Sequence, residues 1–133
     1  MKVIMKYSYP EKGTRNGRIY SPEVLKKAFN EPIFKEHCRT HTVPVTSENG
    51  ELVGMGTAYL KDGNVVTVDA EVFSPAVINA IKTADRSIGF TLAGYGNVVY
   101  RNGANVVTDF NIDSAMLCAH PAVDCTTWIY EED

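Results

Sequence analysis

The sequence predicts an α+β domain in which a bent, largely antiparallel sheet, or a small closed barrel, is flanked by two helices. Two turns indicate hairpins: the Asp-Gly pair within residues 61–64 supplies the positive φ angles of a tight turn, and residues 101–103 (Arg-Asn-Gly) form a second one. Serine followed by proline, at residues 21–22 and 74–75, marks two helix starts. The order of strand, helix, strands, helix and strands argues against a doubly wound parallel sheet.

Length and composition restrict the class of protein. The 133 residues predict one domain spanning residues 1–133. The net charge of −3 offers no electrostatic footprint for nucleic acid or an anionic membrane, so we predict neither partner. We expect a cytoplasmic protein, unless a particle carries it out, because the sequence shows no signal peptide and no apolar stretch near the roughly 18 residues of a membrane span. Cys38, Cys118 and Cys125 are interpreted as reduced thiols, with a Cys118–Cys125 disulfide as the alternative.

The first half of the chain contains two predicted strands, one on each side of a helix. Residues 3–9 alternate well enough for a strand. The first helix ends at Pro32, with room for one further helical turn in residues 33–40. Residues 42–46 form a short strand in which Pro44 has to lie at an edge or a bulge. The buried stripe of the helix consists of Val24, Leu25, Ala28 and Phe29.

The second half of the chain contains the clearest hairpin, between residues 52–60 and 64–73. In its first strand, Gly54 and Gly56 indicate a sharp bend or a close backbone approach. The apolar face of its second strand consists of Val66, Val68, Ala70 and Val72.

Three further strands and a tail follow the second helix. Residues 87–93 form one strand, and residues 98–100 pair with residues 106–117 through the second turn. Residues 118–133 are predicted to be an irregular tail whose acidic end is solvated.

Two polar residues of these strands could carry chemistry. Ser87 points away from the apolar face of its strand, and Gly89 leaves open space two residues along, as a nucleophilic serine requires. Asp113 shares a face with Asp109 and Asn111, where it could orient a catalytic base. Taken alone, the two patterns are more typical of a strand-start serine and a solvated polar face.

The three histidines do not predict a metal site. His37 and His41 are spaced i, i+4, which could hold a metal on a helix, but no third ligand is signalled and residues 40–45 do not look helical. His120 precedes a proline in the tail and is interpreted as a surface or packing residue. Residues 13–17 lack the spacing of a phosphate-binding loop, so no cofactor is predicted.

Three stretches resemble the prohead maturation proteases of tailed phages. Residues 16–20 (NGRIY) are similar to the NGRIYP opening of that family, and residues 86–90 (RSIGF) resemble the SIGF strand that carries its nucleophilic serine. Residues 110–122 resemble its LxEVSLVTxPAxP segment. The order and spacing of the three agree. The resemblance implies a closed, bent antiparallel sheet shared with herpesvirus assembly proteases, and cleavage of scaffold and capsid proteins inside an immature head.

Within this resemblance, Ser87 matches the nucleophile, and Asp113 falls where the family has an acidic residue, usually glutamate. The family's catalytic histidine belongs to a PLxxNHD…IG segment, whereas the matching residues 44–54 contain no histidine. Ser47 or Asn49 occupies its place, depending on the gap. Serine without a base is a poor nucleophile at neutral pH.

His41 is the nearest substitute for the missing histidine, six to eight residues away in sequence. In an extended strand this is on the order of 20 Å, so only a folded-back loop would bring His41 to Ser87.

Three hypotheses follow. The favoured one is a non-catalytic head-assembly or capsid-associated protein that binds capsid or scaffold subunits. The resemblance places it in the host cytoplasm, or within or on the virion head, and implies symmetric copies and hence a homo-oligomer. The second is an active serine endopeptidase with Ser87 as nucleophile, His41 or His37 as base and Asp113 as orienter. The third is an unrelated small binding domain.

Overall fold

The structure, a computed structural model, describes residues 1–9, 13–14, 17–83 and 88–118, and the backbone of residues 127–131. The helices in these ranges are α1 (Pro22–Phe29), α2 (Pro32–Thr40) and α3 (Pro75–Thr83). The strands are β1 (Lys2–Ser8), β2 (Arg18–Tyr20), β3 (Val43–Thr46), β4 (Leu52–Lys61), β5 (Val65–Val72), β6 (Gly89–Arg101), β7 (Ala104–Cys118) and β8 (Thr127–Glu131).

The strands form one mixed, mostly antiparallel sheet in the order β2-β7-β3-β4-β5-β1-β8, with β6 paired to β7. The long strand β7 joins two parts of the sheet, because β2 pairs with it in parallel at Val106 and β3 pairs with it in parallel at Ala115. The α+β class is confirmed. In the part of the chain that the structure describes, β6 and β8 do not pair with each other, so the sheet is open and the closed-barrel alternative was wrong for these residues.

The first helix forms as its sequence predicts. The hydroxyl of Ser21 accepts a hydrogen bond from the Val24 amide at 3.2 Å, and Pro22 occupies the first turn. Leu25 and Ala28 are fully buried, whereas the lysines on the opposite side are exposed. Burying this stripe against the sheet stabilises a helix that is too short to be stable alone.

The prediction of two flanking helices was wrong, because residues 32–40 form a further helix of nine residues. The carboxylate of Glu31 accepts hydrogen bonds from the amides of Ile33 (3.1 Å) and Phe34 (2.9 Å), which satisfies two free donors at the helix start. Pro32 therefore begins this helix instead of only ending the one before it. The buried ring of Phe34 anchors α2 against Phe29 of α1 at a centroid distance of 5.4 Å.

The core is formed by side chains of β1, β3, β5 and the start of β6, with α1, α2 and α3 contributing Leu25, Phe34 and Ile81. The predicted apolar face of β5 is confirmed, since Val66, Val68, Ala70 and Val72 are all buried. A row of aromatic rings continues the core towards β7 through Tyr7, Tyr9, Tyr20 and Phe110.

The glycines of β4 mark a close backbone approach, as predicted. A Cβ atom at Gly56 would lie 2.2 Å from the carbonyl oxygen of Asp69, and one at Gly54 would lie 2.5 Å from that of Glu71. Both turns also have the expected conformation. The φ angles of Asp62 and Gly63 are 55° and 82°. Those of Asn102 and Gly103 are 51° and 80°.

Two strand predictions need correction. The separate strands at residues 87–93 and 98–100 are parts of one strand, β6, because Gly94 and Gly96 let the β7 backbone approach closely instead of interrupting the pairing. The tail predicted to be irregular contains β8, which pairs antiparallel with β1 over five residues. Its sequence, TWIYE, is rich in the β-branched and aromatic residues that favour strands.

Candidate functional site

The predicted nucleophile, Ser87, lies outside the described residues, as do His120 and Cys125. The nearest described pair is Gly89 opposite Cys118, the last pair of the β6–β7 ladder. In the sequence, Ser87 and His120 each stand two positions beyond that pair. The catalytic set of Ser87, His41 and Asp113 therefore stays a prediction.

Asp113 occupies a β-bulge in β7. Ala93 pairs with Ser114 and Gly94 pairs with Ile112, so Asp113 is the extra residue between the two pairs. Its side chain is exposed, whereas both of its neighbours are buried. Bulges of this kind redirect a side chain, and they occur often beside functional sites.

Asp113 lines a cavity of about 220 Å³ together with His37. Glu31 also lines this cavity, but its carboxylate is engaged by the two amides at the start of α2. The Nδ1 atom of His37 lies 2.8 Å from the hydroxyl oxygen of Thr42. The structure thus places at one cavity two residues of the predicted serine endopeptidase set, Asp113 and the alternative base His37.

His41, the predicted substitute base, ends α2. Its φ and ψ angles of 57° and 39° are left-handed, and its amide donates to the carbonyl of Cys38 at 3.3 Å. The side chain is exposed. The residues that follow enter the extended strand β3, which is paired with β4, so the described chain does not fold back at this point.

The cavity beside Asp113 and the start of β6 are separate places. Asp113 precedes Cys118 by five residues in β7, which corresponds to about 16 Å at about 3.3 Å per residue. A residue that orients a catalytic base has to lie within hydrogen-bond distance of it. The His37–Asp113 cavity therefore lies well away from the Gly89–Cys118 pair.

The residues that the resemblance aligns with the histidine segment of prohead proteases form a tight turn after β3. Thr46 pairs with Met116 of β7, which in turn pairs with Thr91 of β6, so β3 and β6 run on either side of β7 near this end of the sheet. The hydroxyl of Ser47 accepts hydrogen bonds from the amides of Asn49 (3.3 Å) and Glu51 (3.2 Å). Ser47 thus closes the turn, a role that the hydroxyl fulfils without any catalytic partner.

A larger cleft of about 730 Å³ lies between α1, α2 and β4. Phe29, Ala58 and Leu60 provide its apolar walls, and Lys26 and Lys35 stand at its rim. Its dimensions suit a small molecule or a peptide side chain. No pattern in the sequence predicted this cleft, because its walls come from three elements that meet only in the folded chain.

Shifted pKa values do not single out either cavity. Burial raises the pKa of the Tyr9 phenol, and this ring belongs to the aromatic row of the core. On the surface of α2, a hydrogen bond from Arg39 lowers the pKa of the Glu36 carboxyl. Both shifts have structural causes, so neither indicates a catalytic acid or base.

Comparisons with known proteins identify no relative. No protein-family model, no curated protein and no solved structure matches the chain. Among the described residues, no helix is long and apolar enough to cross a membrane. The same residues contain no group of three or more His, Cys, Asp or Glu side chains arranged to hold a metal ion.

Proposed function

We propose that the chain is a phage head-assembly or capsid-associated protein that binds capsid or scaffold subunits without cleaving them. The three ordered stretches that resemble prohead proteases motivate this proposal. The α+β class and the mostly antiparallel sheet agree with that resemblance, whereas the closure of the sheet that it also implies is absent over the described residues. A protease-like arrangement of the strands without closure, and the location in the host cytoplasm or the virion head, are parts of the same proposal.

The observation that carries the non-catalytic assignment is the turn after β3. This turn holds Ser47 and Asn49, one of which occupies the place of the family's histidine. The turn follows Thr46 of β3, which is separated from Thr91 of β6 by one strand, β7. No imidazole lies in residues 42–83, which the structure describes without a gap. His37 and His41 belong to α2, before the extended strand β3.

A serine hydroxyl ionises poorly at neutral pH, and an adjacent general base contributes much of its reactivity. Removing the base from a set of catalytic residues that act together lowers kcat about as much as removing the whole set. A domain that keeps the surrounding strands but lacks the base would retain surfaces for its former substrates. Capsid and scaffold proteins are therefore the partners we propose.

The first experiment tests catalysis with a fluorophosphonate probe on the purified protein. We expect the wild-type protein and Ser87→Ala to give the same background labelling. Labelling that disappears in Ser87→Ala would overturn the non-catalytic assignment and support a serine endopeptidase. In that case His37→Ala, His41→Ala and His120→Ala would identify the base, since these three histidines all lie outside the family's position.

The second experiment tests assembly. Purified capsid and scaffold proteins of the encoding phage are mixed with the chain, and binding is measured by co-sedimentation, with gel analysis for cleavage products. We expect binding and intact partners, both unchanged in Ser87→Ala. Absence of binding to either partner would contradict the proposed function, whatever the outcome of the labelling.

A further inference from the structure

The outer segment of β6, residues 94–101, is exposed along its whole length. It carries four large apolar side chains with exposed fractions of 66% (Tyr95), 44% (Val98), 38% (Val99) and 71% (Tyr100). These residues are consecutive or nearly so, and they lie on both faces of the strand. A cluster of exposed apolar side chains of this kind on one strand is unusual for a small domain and indicates an interaction site.

This segment is also an edge of the sheet. In the described part of the chain, β7 is the only strand that pairs with β6. Soluble proteins usually protect such an edge with charged residues or proline, because its free N–H and C=O groups can pair with another strand. Residues 89–100 contain neither a charged residue nor a proline. The edge is therefore open to pairing with another strand.

The sequence of the segment is complementary to itself. In an antiparallel pair of two β6 strands related by a two-fold axis at Asn97, Tyr100 lies opposite Gly94 of the other copy, and Val98 lies opposite Gly96. A large side chain opposite a glycine on a neighbouring strand covers the backbone that the glycine leaves bare.

On the other face of this pair, Tyr95 lies opposite Val99, which is a favourable aromatic and β-branched combination.

The β7 backbone fills the Cβ positions of the two glycines, but a cavity lies beside them. A cavity of about 250 Å³ is lined by Gly94 and Gly96 of β6, Val107 of β7 and Tyr20 of β2. In the pair centred on Asn97, the Tyr100 ring of the second copy lies on the face of the strand that bears the two glycines. The cavity is thus in position to receive it.

Charge does not oppose this pairing. The nearest acidic side chain, Asp109 on β7, accepts a hydrogen bond from Asn97 of its own chain at 2.6 Å. Three strand spacings would separate the two Asp109 residues of a pair, about 14 Å, which exceeds the Debye length of about 8 Å at physiological ionic strength.

We propose that residues 94–100 of β6 bind the same segment of a second copy of this chain, antiparallel and centred on Asn97. This inference specifies the contact surface and its register, and it does not depend on the function in head assembly. The pairing joins the two sheets into one continuous sheet. The contact is of modest size, so we expect dissociation constants in the micromolar range.

Cysteine crosslinking tests the register. Opposed residues in an antiparallel pair have Cα atoms about 4.5–5.5 Å apart, which suits a disulfide. Asn97→Cys should therefore give a reductant-sensitive dimer. Tyr95→Cys should not, because its two copies are offset by four residues, about 13 Å along the strands. The wild-type protein controls for its own cysteines. A crosslink through position 95 and none through position 97 would overturn the register.

Sedimentation velocity tests the pairing itself. In Val98→Lys, the two ammonium groups would lie on one face with backbone positions about 8 Å apart, so we expect the dissociation constant to rise at least about tenfold. Tyr59→Lys is the matched control, since Tyr59 is exposed on β4 and pairs with Thr67 of β5, away from β6, and this variant should dimerise as the wild type does. A wild-type protein that remains monomeric up to about 200 µM, or an undiminished Val98→Lys dimer, would refute the proposal.

Discussion

Replacing Gly56 by alanine should separate β4 from β5 locally. An alanine Cβ atom at this position would lie 2.2 Å from the carbonyl oxygen of Asp69 and 2.6 Å from the Cα atom of Ala70. Carbon and carbonyl oxygen atoms in ordinary contact are about 3.3–3.6 Å apart, so the overlap exceeds about 1 Å. Both neighbouring atoms belong to the backbone of the paired strand and have no rotamer to change. The strands themselves have to move.

The cost follows from two opposing effects. Overpacking of a well-packed core destabilises by about 1–3 kcal/mol, and it is offset by about 0.4–1 kcal/mol because alanine restricts the unfolded chain more than glycine does. Because the overlap with the backbone exceeds about 1 Å, we place the net loss in the free energy of unfolding in the upper part of this difference, at about 1–2.5 kcal/mol. With a urea m-value of about 2 kcal/mol/M, the unfolding midpoint should fall by about 0.5–1.2 M.

Two further variants make this measurement specific. In Gly50→Ala the new Cβ atom lies in open space, and the only cost is that of a left-handed backbone, with a φ of 82°, in an exposed turn. Amide hydrogen exchange in this variant should therefore increase only near that turn. Gly56→Ala should increase exchange along the β4–β5 ladder. Adding Ala70→Gly to Gly56→Ala should not restore stability, because the closest contact is with the Asp69 backbone. An unchanged midpoint in Gly56→Ala, or full rescue by Ala70→Gly, would refute this reasoning.

Three other predictions concern single side chains. Burial raises the pKa of Tyr9 above its ordinary value near 10, so the unfolded chain ionises first and the free energy of unfolding should fall as the pH rises past about 10. Urea unfolding between about pH 9 and pH 11 measures this loss. The free energy of unfolding should fall less steeply with pH in Tyr9→Phe than in the wild type, and as steeply as in the wild type in the exposed control Tyr100→Phe. Glu31→Ala removes the carboxylate that accepts two amides at the start of α2 and should cost about 1 kcal/mol in thermal unfolding, whereas an effect no larger than that of Glu51→Ala would contradict the capping role. Ser47→Ala should cost about 1 kcal/mol because two turn amides lose their acceptor, and equal amide exchange of the turn in variant and wild type would disprove it.

Local chemistry explains what the sequence could predict. The cap at Ser21, the turn at Asp62 and Gly63, and the apolar face of β5 each depend on residues that are neighbours in the chain. The close approach at Gly56 was also predictable, because a glycine within a strand is rarely there for its own conformational preference.

Other parts of the fold depend on pairing between distant residues. β8 exists because it pairs with β1, and β6 continues past Gly94 and Gly96 because β7 lies alongside. Neither partner is visible from the local pattern. The start of α2 was mispredicted for a different reason. Glu31 followed by Pro32 is typical of a helix start, but the proline was interpreted only as the end of the preceding helix.

The surroundings of Asp113 were hidden for a third reason. Strict alternation predicts which face a strand residue occupies, but a bulge adds one residue and changes the partner across the ladder. The bulge at Asp113 becomes apparent only from the pairs on either side of it. The cavity that Asp113 shares with His37 also needs α2, which was predicted to be a single turn. Sequence reasoning therefore named Asp113 and His37 for one catalytic set, but it did not predict the cavity that both residues line.

The two proposals for this chain use different parts of the same strand. In the pair centred on Asn97, position 94 of one copy lies opposite position 100 of the other, so the residues from Gly89 to Leu92 lie outside the opposed segments. Self-association should therefore leave the start of β6 unaltered. We expect Ser87→Ala to dimerise with the wild-type dissociation constant, and Val98→Lys to show the wild-type response to the fluorophosphonate probe. A change in dimerisation caused by Ser87→Ala would mean that the contact reaches the start of β6, and the register centred on Asn97 would then be wrong.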